Sequence, residues 1–309
     1  MLQKISKDMK SMQLFAQWDE IASVMWKDRD IHNNRVYTYD INEIEYICDI
    51  ENPVLMTDYF AIQNIQDYLI RETVYMLYTK PIRCIEYDDY KMLFEQRNYL
   101  WVWWPSIDTI FCSKVLSEYD FTHIHTVAEV WSWSWFIWRY IAYKNSSIQK
   151  IVLNDINPKA EDYYKDFPIA STDSEFYLGD ATKFLGNQKF DMVVCNPPYI
   201  PRPNSIDDNP YEWLSLLQYL VENAHLYLNP NGKLMLNISS LTQPHFEVFV
   251  KDAWLKAVLL DSMKSPLKVF NILHNANWMQ YLKEHCGLKE EMHEWHLWWH
   301  TILVYEISL

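Results

Sequence analysis

The run Phe190-Asp191-Met192-Val193-Val194-Cys195-Asn196-Pro197-Pro198-Tyr199 decides how this chain is read. Its first half is almost all apolar, the pattern of a strand buried on both faces of a parallel sheet. Two prolines then end it. Each fixes φ and removes a backbone N–H, so the carbonyls here face outward as acceptors with no ladder to serve. Asn196 offers a side-chain carbonyl, Pro197 a main-chain carbonyl held rigid by Pro198, and Tyr199 a flat ring. Together they suit a planar NH2-bearing group whose hydrogens are accepted while its face stacks on the tyrosine. The bland alternative is a proline-rich turn closing a strand.

On either side of this run the texture is short β-rich stretches alternating with helical ones. Thr126–Val130, Lys150–Asn154, Glu175–Leu178 and Lys233–Ile238 read as strands. Phe136–Tyr143, Pro158–Tyr164 and Tyr211–Leu228 read as helices, the second with Pro at its first turn and the third stopped by Asn229-Pro230-Asn231-Gly232. A helix near Val269–Lys283 precedes a last strand at His300–Ile307. The alternation predicts an α/β fold: a Rossmann-like, doubly wound sheet, mostly parallel, with right-handed crossovers and an antiparallel C-terminal strand. From Met1 to about Asn98 the spacing looks mostly helical, clearest in Ser11–Met25 and Asp58–Tyr78, and carries no catalytic constellation. The expected organisation is a helical N-terminal domain over 1–98 that packs or docks a partner, then a catalytic domain over 99–309.

The strand followed by Asn-Pro-Pro-Tyr resembles class I S-adenosylmethionine-dependent methyltransferases that act on amino groups conjugated to a π system. Among these it is most similar to the protein-(glutamine-N5) methyltransferases of translation release factors, with the adenine-N6 enzymes of DNA and RNA as the nearest alternative. The resemblance covers about Val102 to Leu241. It implies an in-line methyl transfer with Asn196, Pro197, Pro198 and Tyr199 gripping the acceptor and no covalent enzyme intermediate. It also implies S-adenosylmethionine as cofactor. Glu129 stands at the acidic position after the first strand, and Asp155, 24 residues beyond Trp131, stands where a carboxylate accepts from the ribose hydroxyls. Asp180, followed by Ala181, would receive the adenine amino group, and Asn196 would border the cofactor too. Val102–Thr109 resembles the segment that closes over it.

One departure is large. Where the family has Gly-x-Gly-x-Gly, this chain has Trp131-Ser132-Trp133-Ser134-Trp135. Indoles there crowd a nucleoside, and any residue needing φ > 0 is strained. Trp104, Trp138 and Trp213 also stand where glycine would be comfortable. The whole chain has 4 glycines in 309 residues, where average usage of about 7% predicts roughly 22. It has 15 tryptophans. Both anomalies follow if UGA codons meaning glycine have been read as tryptophan. The rival is a cofactor-dead scaffold with genuine tryptophans.

Composition trims the remaining options. Net charge is −14, with the acidity spread over both the first 100 residues and the rest. That disfavours a nucleic-acid partner, which calls for a cationic face, and leaves a protein substrate such as a release factor as the expected partner. Half the residues are hydrophobic and no apolar run reaches 18, so neither disorder nor a membrane partner is expected. Five cysteines without a C-x-x-C pair (Cys48, Cys84, Cys112, Cys195, Cys286) read as reduced thiols, hence a cytoplasmic setting. His293-x-x-His296-x-x-x-His300 lacks the companions of a zinc site, so no metal is expected.

Overall fold

The computed structural model describes residues 34–40, 43–49, 82–87, 90–95, 107–132, 135–166, 169, 172–203, 214–267, 275–293 and 296–309. In the N-terminal region the described residues are strands: β1 (Asn34–Asp40), β2 (Glu43–Asp49), β3 (Ile82–Tyr87) and β4 (Tyr90–Glu95). They form an antiparallel sheet in the order β2-β1-β3-β4, with Asp40 opposite Glu43 and Tyr87 opposite Tyr90 across two-residue connections. This corrects the helical expectation for these segments. Runs such as Val36-Tyr37-Thr38-Tyr39 are β-branched and aromatic, and that preference outweighs scattered three- and four-residue spacings. The two expected helices, Ser11–Met25 and Asp58–Tyr78, lie outside the described residues.

Helix α1 (Ile107–Ser117) leads into the main sheet. Strand β5 (Thr126–Val130) is followed by α2 (Phe136–Lys144), β6 (Lys150–Asp155), α3 (Pro158–Asp166), β7 (Asp173–Leu178), the short α4 (Ala181–Leu185) and β8 (Phe190–Cys195). Then come α5 (Ser215–Glu222), α6 (Ala224–Tyr227), β9 (Leu228–Ser239), α7 (Gln243–Asp252), β10 (Lys256–Pro266), α8 (Ala276–His285), β11 (Glu290–His293) and β12 (His296–Ser308). The order across the sheet is β10-β12-β9-β8-β5-β6-β7, with β11 pairing to β12. Strands β9, β8, β5, β6 and β7 run parallel, while β12 is antiparallel to both its neighbours β9 and β10. The α/β architecture is as the alternation predicts, antiparallel C-terminal strand included. Two details differ. The helix expected over 211–228 is broken at Asn223, and β10 was not anticipated because Lys-Ala-Val-Leu-Leu-Asp-Ser shows no strict alternation.

Side chains of the central strands alternate between two cores. Val127, Ile151, Leu153, Met192 and Val194 face one way, against Phe111 and Leu116 of α1, Ile137 and Ile141 of α2 and Tyr163 of α3. Ala128, Val130, Val152, Val193 and Cys195 face the other way, against Phe184, Leu217, Leu220 and Phe246. Strands β5, β6 and β8 are therefore buried along almost their whole length, as parallel strands covered on both faces must be. The chain order reverses between β5 and β8. In open sheets of this kind ligands sit at such a point, outside the C-terminal ends of the strands. No helix of the described residues is long and apolar enough to cross a membrane.

Candidate active site

Register places the sequence-predicted residues at one edge of the sheet. Val130 lies opposite both Asn154 and Cys195, and Asp155 lies opposite Leu178, so β5, β6, β7 and β8 all end at one level. The segments leaving them are stitched together by hydrogen bonds. The Ser132 N–H and hydroxyl both donate to the Asn154 carbonyl at 3.0 Å. The buried Asn154 amide donates to the carbonyls of Tyr177 (3.0 Å) and Gly179 (2.8 Å), and the Gly179 N–H donates to the Asp155 carbonyl at 2.9 Å. Gly179 has φ of 146°, a conformation L side chains rarely adopt, so the bend between β7 and α4 requires glycine.

These segments frame an open cleft between Trp131, Asn154, Asp155, Ile156, Gly179, Asp180, Ala181 and Leu216. The two predicted carboxylates thus share one hollow. Asp155 is buried and accepts from the Asn157 N–H at 2.9 Å through Oδ1. Asp180 caps α4, its Oδ1 accepting from the N–H (2.9 Å) and hydroxyl (2.8 Å) of Thr182. That cap fixes where its carboxylate stands. Ala181 starts the helix and is buried against the second core.

Glu129 lies one step deeper, on β5, and only 3% of its surface is exposed. Its Oε2 is buried and has no hydrogen-bond partner. Burial, and then the nearby charge of Asp155, push its pKa well above the usual carboxylate range. A buried carboxyl with an unsatisfied oxygen is costly and awaits a donor or a cation.

The tryptophans behave differently from one another. Trp131 is half-buried, packs on the second core, forms one wall of the cleft and has φ of 63°. Trp135 is fully buried, stacks on Tyr163 with centroids 4.7 Å apart and donates its Nε1–H to Ser132 at 2.7 Å, yet its φ is 53°. Trp133 lies outside the described residues, as does Trp213. Trp138 is buried inside α2, edge-on to Phe121 at 6.4 Å, with its Nε1–H lacking an acceptor.

At the end of β8 the Asn-Pro-Pro-Tyr residues are drawn into a polar knot centred on Asp108. The Asn196 amide donates through Nδ2 to Asp108 Oδ2 (3.1 Å) and Thr109 Oγ1 (3.3 Å), and the Tyr199 hydroxyl donates to the same Asp108 oxygen at 3.0 Å. Asn237, fully buried on β9, donates to Asn196 Oδ1 (2.9 Å) and to the Asp108 carbonyl (3.2 Å). Thr242 donates to the Tyr199 carbonyl, and Trp278 Nε1–H to the Pro201 carbonyl at 2.6 Å. Burial, then Asp108, raise the Tyr199 pKa well above its usual value, so the phenol stays a donor. Pro197 is buried and Pro198 half-buried. Asn196 and Tyr199 therefore face the Asp108 knot rather than the wall of the carboxylate cleft.

Two members of this knot carry a signal in the sequence. Asp108 lies within the segment that resembles a closing one, and an acid opening a helix invites a polar partner. Asn237 interrupts the apolar run Leu234-Met235-Leu236, and a lone amide in a doubly buried strand must be bonded to something. Among the described residues no group of three His, Cys, Asp or Glu side chains could hold a metal ion.

No protein-family model matches the chain. Two curated proteins match short stretches. A bifunctional methyltransferase of Rickettsia felis is 38% identical over 68 residues, 18% of this chain and 13% of its own length. A release factor glutamine methyltransferase of Geobacter sulfurreducens is 33% identical over 76 residues, 20% of this chain and 27% of its own length. The matched part thus spans well under a third of either relative. Among solved structures, a ribosomal protein L11 methylase from Lactobacillus delbrueckii subsp. bulgaricus overlays on 65% of this chain and 79% of its own, at 13% identity and a TM-score of 0.42.

Proposed function

We propose that the protein transfers a methyl group from S-adenosylmethionine to a planar amide or amino nitrogen, with a glutamine side chain of a protein as the acceptor. The observation that carries this reading is the carboxylate-lined cleft at the reversal of strand order, with Asn-Pro-Pro-Tyr leaving the adjacent strand. The short matches to two methyltransferases, one named for release factor glutamine, support it.

The acceptors present suit the cofactor. Asp155 and Asp180 line the cleft and offer oxygens to hydroxyl and amino donors, while Glu129 lies buried on β5 outside that lining. The indole of Trp131 in the cleft wall is what does not suit it. When bound, S-adenosylmethionine supplies an electrophilic methyl on a sulfonium sulfur.

This chain's own residues do the rest by alignment. An amide carbonyl has two lone pairs. Asn237 engages Asn196 Oδ1 with one N–H, leaving capacity to accept a hydrogen from the incoming nitrogen, while Asp108 takes the Asn196 amide hydrogen and polarises the group toward its oxygen. For transfer, the Pro197 carbonyl must accept the second hydrogen, and the Tyr199 ring, bonded here to Asp108 outside the cleft lining, must turn toward the flat acceptor. Accepting hydrogen bonds from both N–H groups aims the nitrogen lone pair at the methyl, so that the N–C bond would form as the C–S bond breaks to leave a thioether and the nitrogen would give up one proton. Residues 1–98 form the region that docks the substrate protein.

Labelled methyl from S-adenosylmethionine, offered with release factors and with nucleic acids in parallel, tests the reading. Label on a glutamine of the protein acceptor is expected; label on adenine alone would move the assignment to the adenine-N6 class. Asn196→Ala should retain cofactor binding and lose transfer, and full activity in that variant removes the acceptor-site assignment. Absence of any thermal shift with S-adenosylmethionine would leave the scaffold reading, because a ligand bound only by the native state must raise its stability.

A further inference from the structure

Five described residues other than glycine have positive φ: Trp131 (63°), Trp135 (53°), Leu214 (52°), Asn231 (70°) and Trp254 (58°). Asparagine visits this region readily, whereas a bulky aromatic there is an outlier. That three of the five are tryptophan is not what side-chain sterics produce.

Trp254 is the sharpest case, because it is not among the residues that line the cleft. Helix α7 ends at Asp252 with Ala253 as its C-cap, and the chain then closes with the Trp254 N–H on the Lys251 carbonyl and the Leu255 N–H on the Val250 carbonyl, both at 3.1 Å. This pair of bonds defines the Schellman motif, whose left-handed residue is usually glycine. The indole that stands there is 92% exposed, so its packing does not repay the strained backbone. Trp131 and Trp135 repeat the anomaly on either side of Ser132, at the end of β5 and at the residue before α2.

Other tryptophans are well placed. Trp278 lies in α8, bonds the Pro201 carbonyl and carries the Arg202 guanidinium 4.6 Å from its ring. Trp298 and Trp299 lie in β12, with Lys283 and Lys264 over their rings at 4.3 and 5.5 Å. Tryptophan therefore occurs here in two populations, one fitted to its backbone and one set on backbone shaped for a residue without Cβ.

We infer that positions 131, 135 and 254 are glycine in the protein its cell makes, encoded by UGA, while 278, 298 and 299 are tryptophan encoded by UGG. The deficit of glycine and the excess of tryptophan then have one cause, and it reaches Trp254, which no active-site argument touches. The consequence for the cleft is direct. Removing the indole at 131 widens the space between Asp155, Asp180 and Leu216 by the volume of that ring. The residue assignment stands independently of the proposed methyl transfer.

Peptide mass spectrometry on the protein isolated from its source cells, together with the coding sequence, tests the inference. Glycine masses and UGA codons are expected at 131, 135 and 254, with a tryptophan mass and UGG at 278. Tryptophan at 254, or at either of the other two, overturns it, as does UGA at 278. A binding measurement separates this result from the proposed function. The Trp131→Gly/Trp135→Gly variant should bind S-adenosylhomocysteine at least tenfold more tightly than the chain with tryptophan. Glycine masses at all three positions with no such binding would uphold the residue assignment and refute the cofactor reading.

Discussion

The two ends of the central strands are built to opposite standards. At the N-terminal end, Asp191 joins three strands: its Oδ2 accepts from the N–H groups of His125 (3.0 Å) and Thr126 (2.9 Å) and the Thr126 hydroxyl (2.9 Å), and its Oδ1 accepts from Asn229 at 2.7 Å. At the C-terminal end, Glu129 is more deeply buried and has an oxygen with no partner, and Trp131 sits on left-handed backbone. Burial raises both acids. The hydrogen bonds around Asp191 reverse that and hold its pKa below the usual range, whereas around Glu129 nothing does. One end surrounds its carboxylate with donors, and the other leaves one buried carboxyl oxygen, Glu129 Oε2, without a partner.

Asp191→Ala attacks the satisfied end and should have the largest effect. Four acceptor contacts vanish and two backbone N–H groups lose their partner, a loss of about 3 kcal/mol given that bonds to a charged group contribute roughly 1.5–3 kcal/mol and do not add. Chemical denaturation measures it. A loss under about 0.5 kcal/mol, the range of an ordinary surface change, would mean that this staple does not join the strands.

Glu129→Gln probes the unsatisfied end, and its signature is the pH dependence. In the unfolded chain the carboxyl ionises near 4.5, whereas in the folded protein it holds its proton to a much higher pH. Above 4.5 the native state therefore binds more protons than the unfolded one, and stability falls as pH rises, by at most about 1.4 kcal/mol per pH unit. The variant lacks this slope. It should be the more stable of the two at pH 8, with the gap narrowing as pH falls toward 4.5, in parallel urea titrations. A gap independent of pH would show that Glu129 already has a partner.

How much of this was legible in the sequence follows the same division. The fold and the positions of Asp155 and Asn196 were readable because buried parallel strands announce themselves as apolar runs, and their last residues occupy one edge, whereas Asp180 follows the largely exposed β7 and only the family resemblance points to it. The Asp108–Asn237 knot was not readable, because residues 108, 196 and 237 meet only through tertiary packing and no spacing encodes that. Strands β1 to β4 were missed for another reason. In a chain this rich in aromatic and apolar residues, three- and four-residue spacings arise freely, and only β propensity separates the cases. Backbone φ lies wholly outside the sequence, so nothing there singles out Trp254 among the tryptophans.

Trp254→Gly carries the comparison beyond the central strands, to the end of α7. In the left-handed region a Cβ costs roughly 1–2 kcal/mol, and glycine restores about 1 kcal/mol net after the greater entropy of its unfolded state is subtracted. The exposed indole contributes little packing to offset that. A gain of this size raises the Tm by about 2–4 °C in a domain of 150–250 residues, within reach of a thermal melt. The same change at Trp278 should do the reverse, because there the indole hydrogen bond and the Arg202 contact are lost and a cavity is left. Opposite signs at 254 and 278 would separate the two populations of tryptophan by energy alone; a loss at both would mean that the backbone after α7 accommodates its indole without strain.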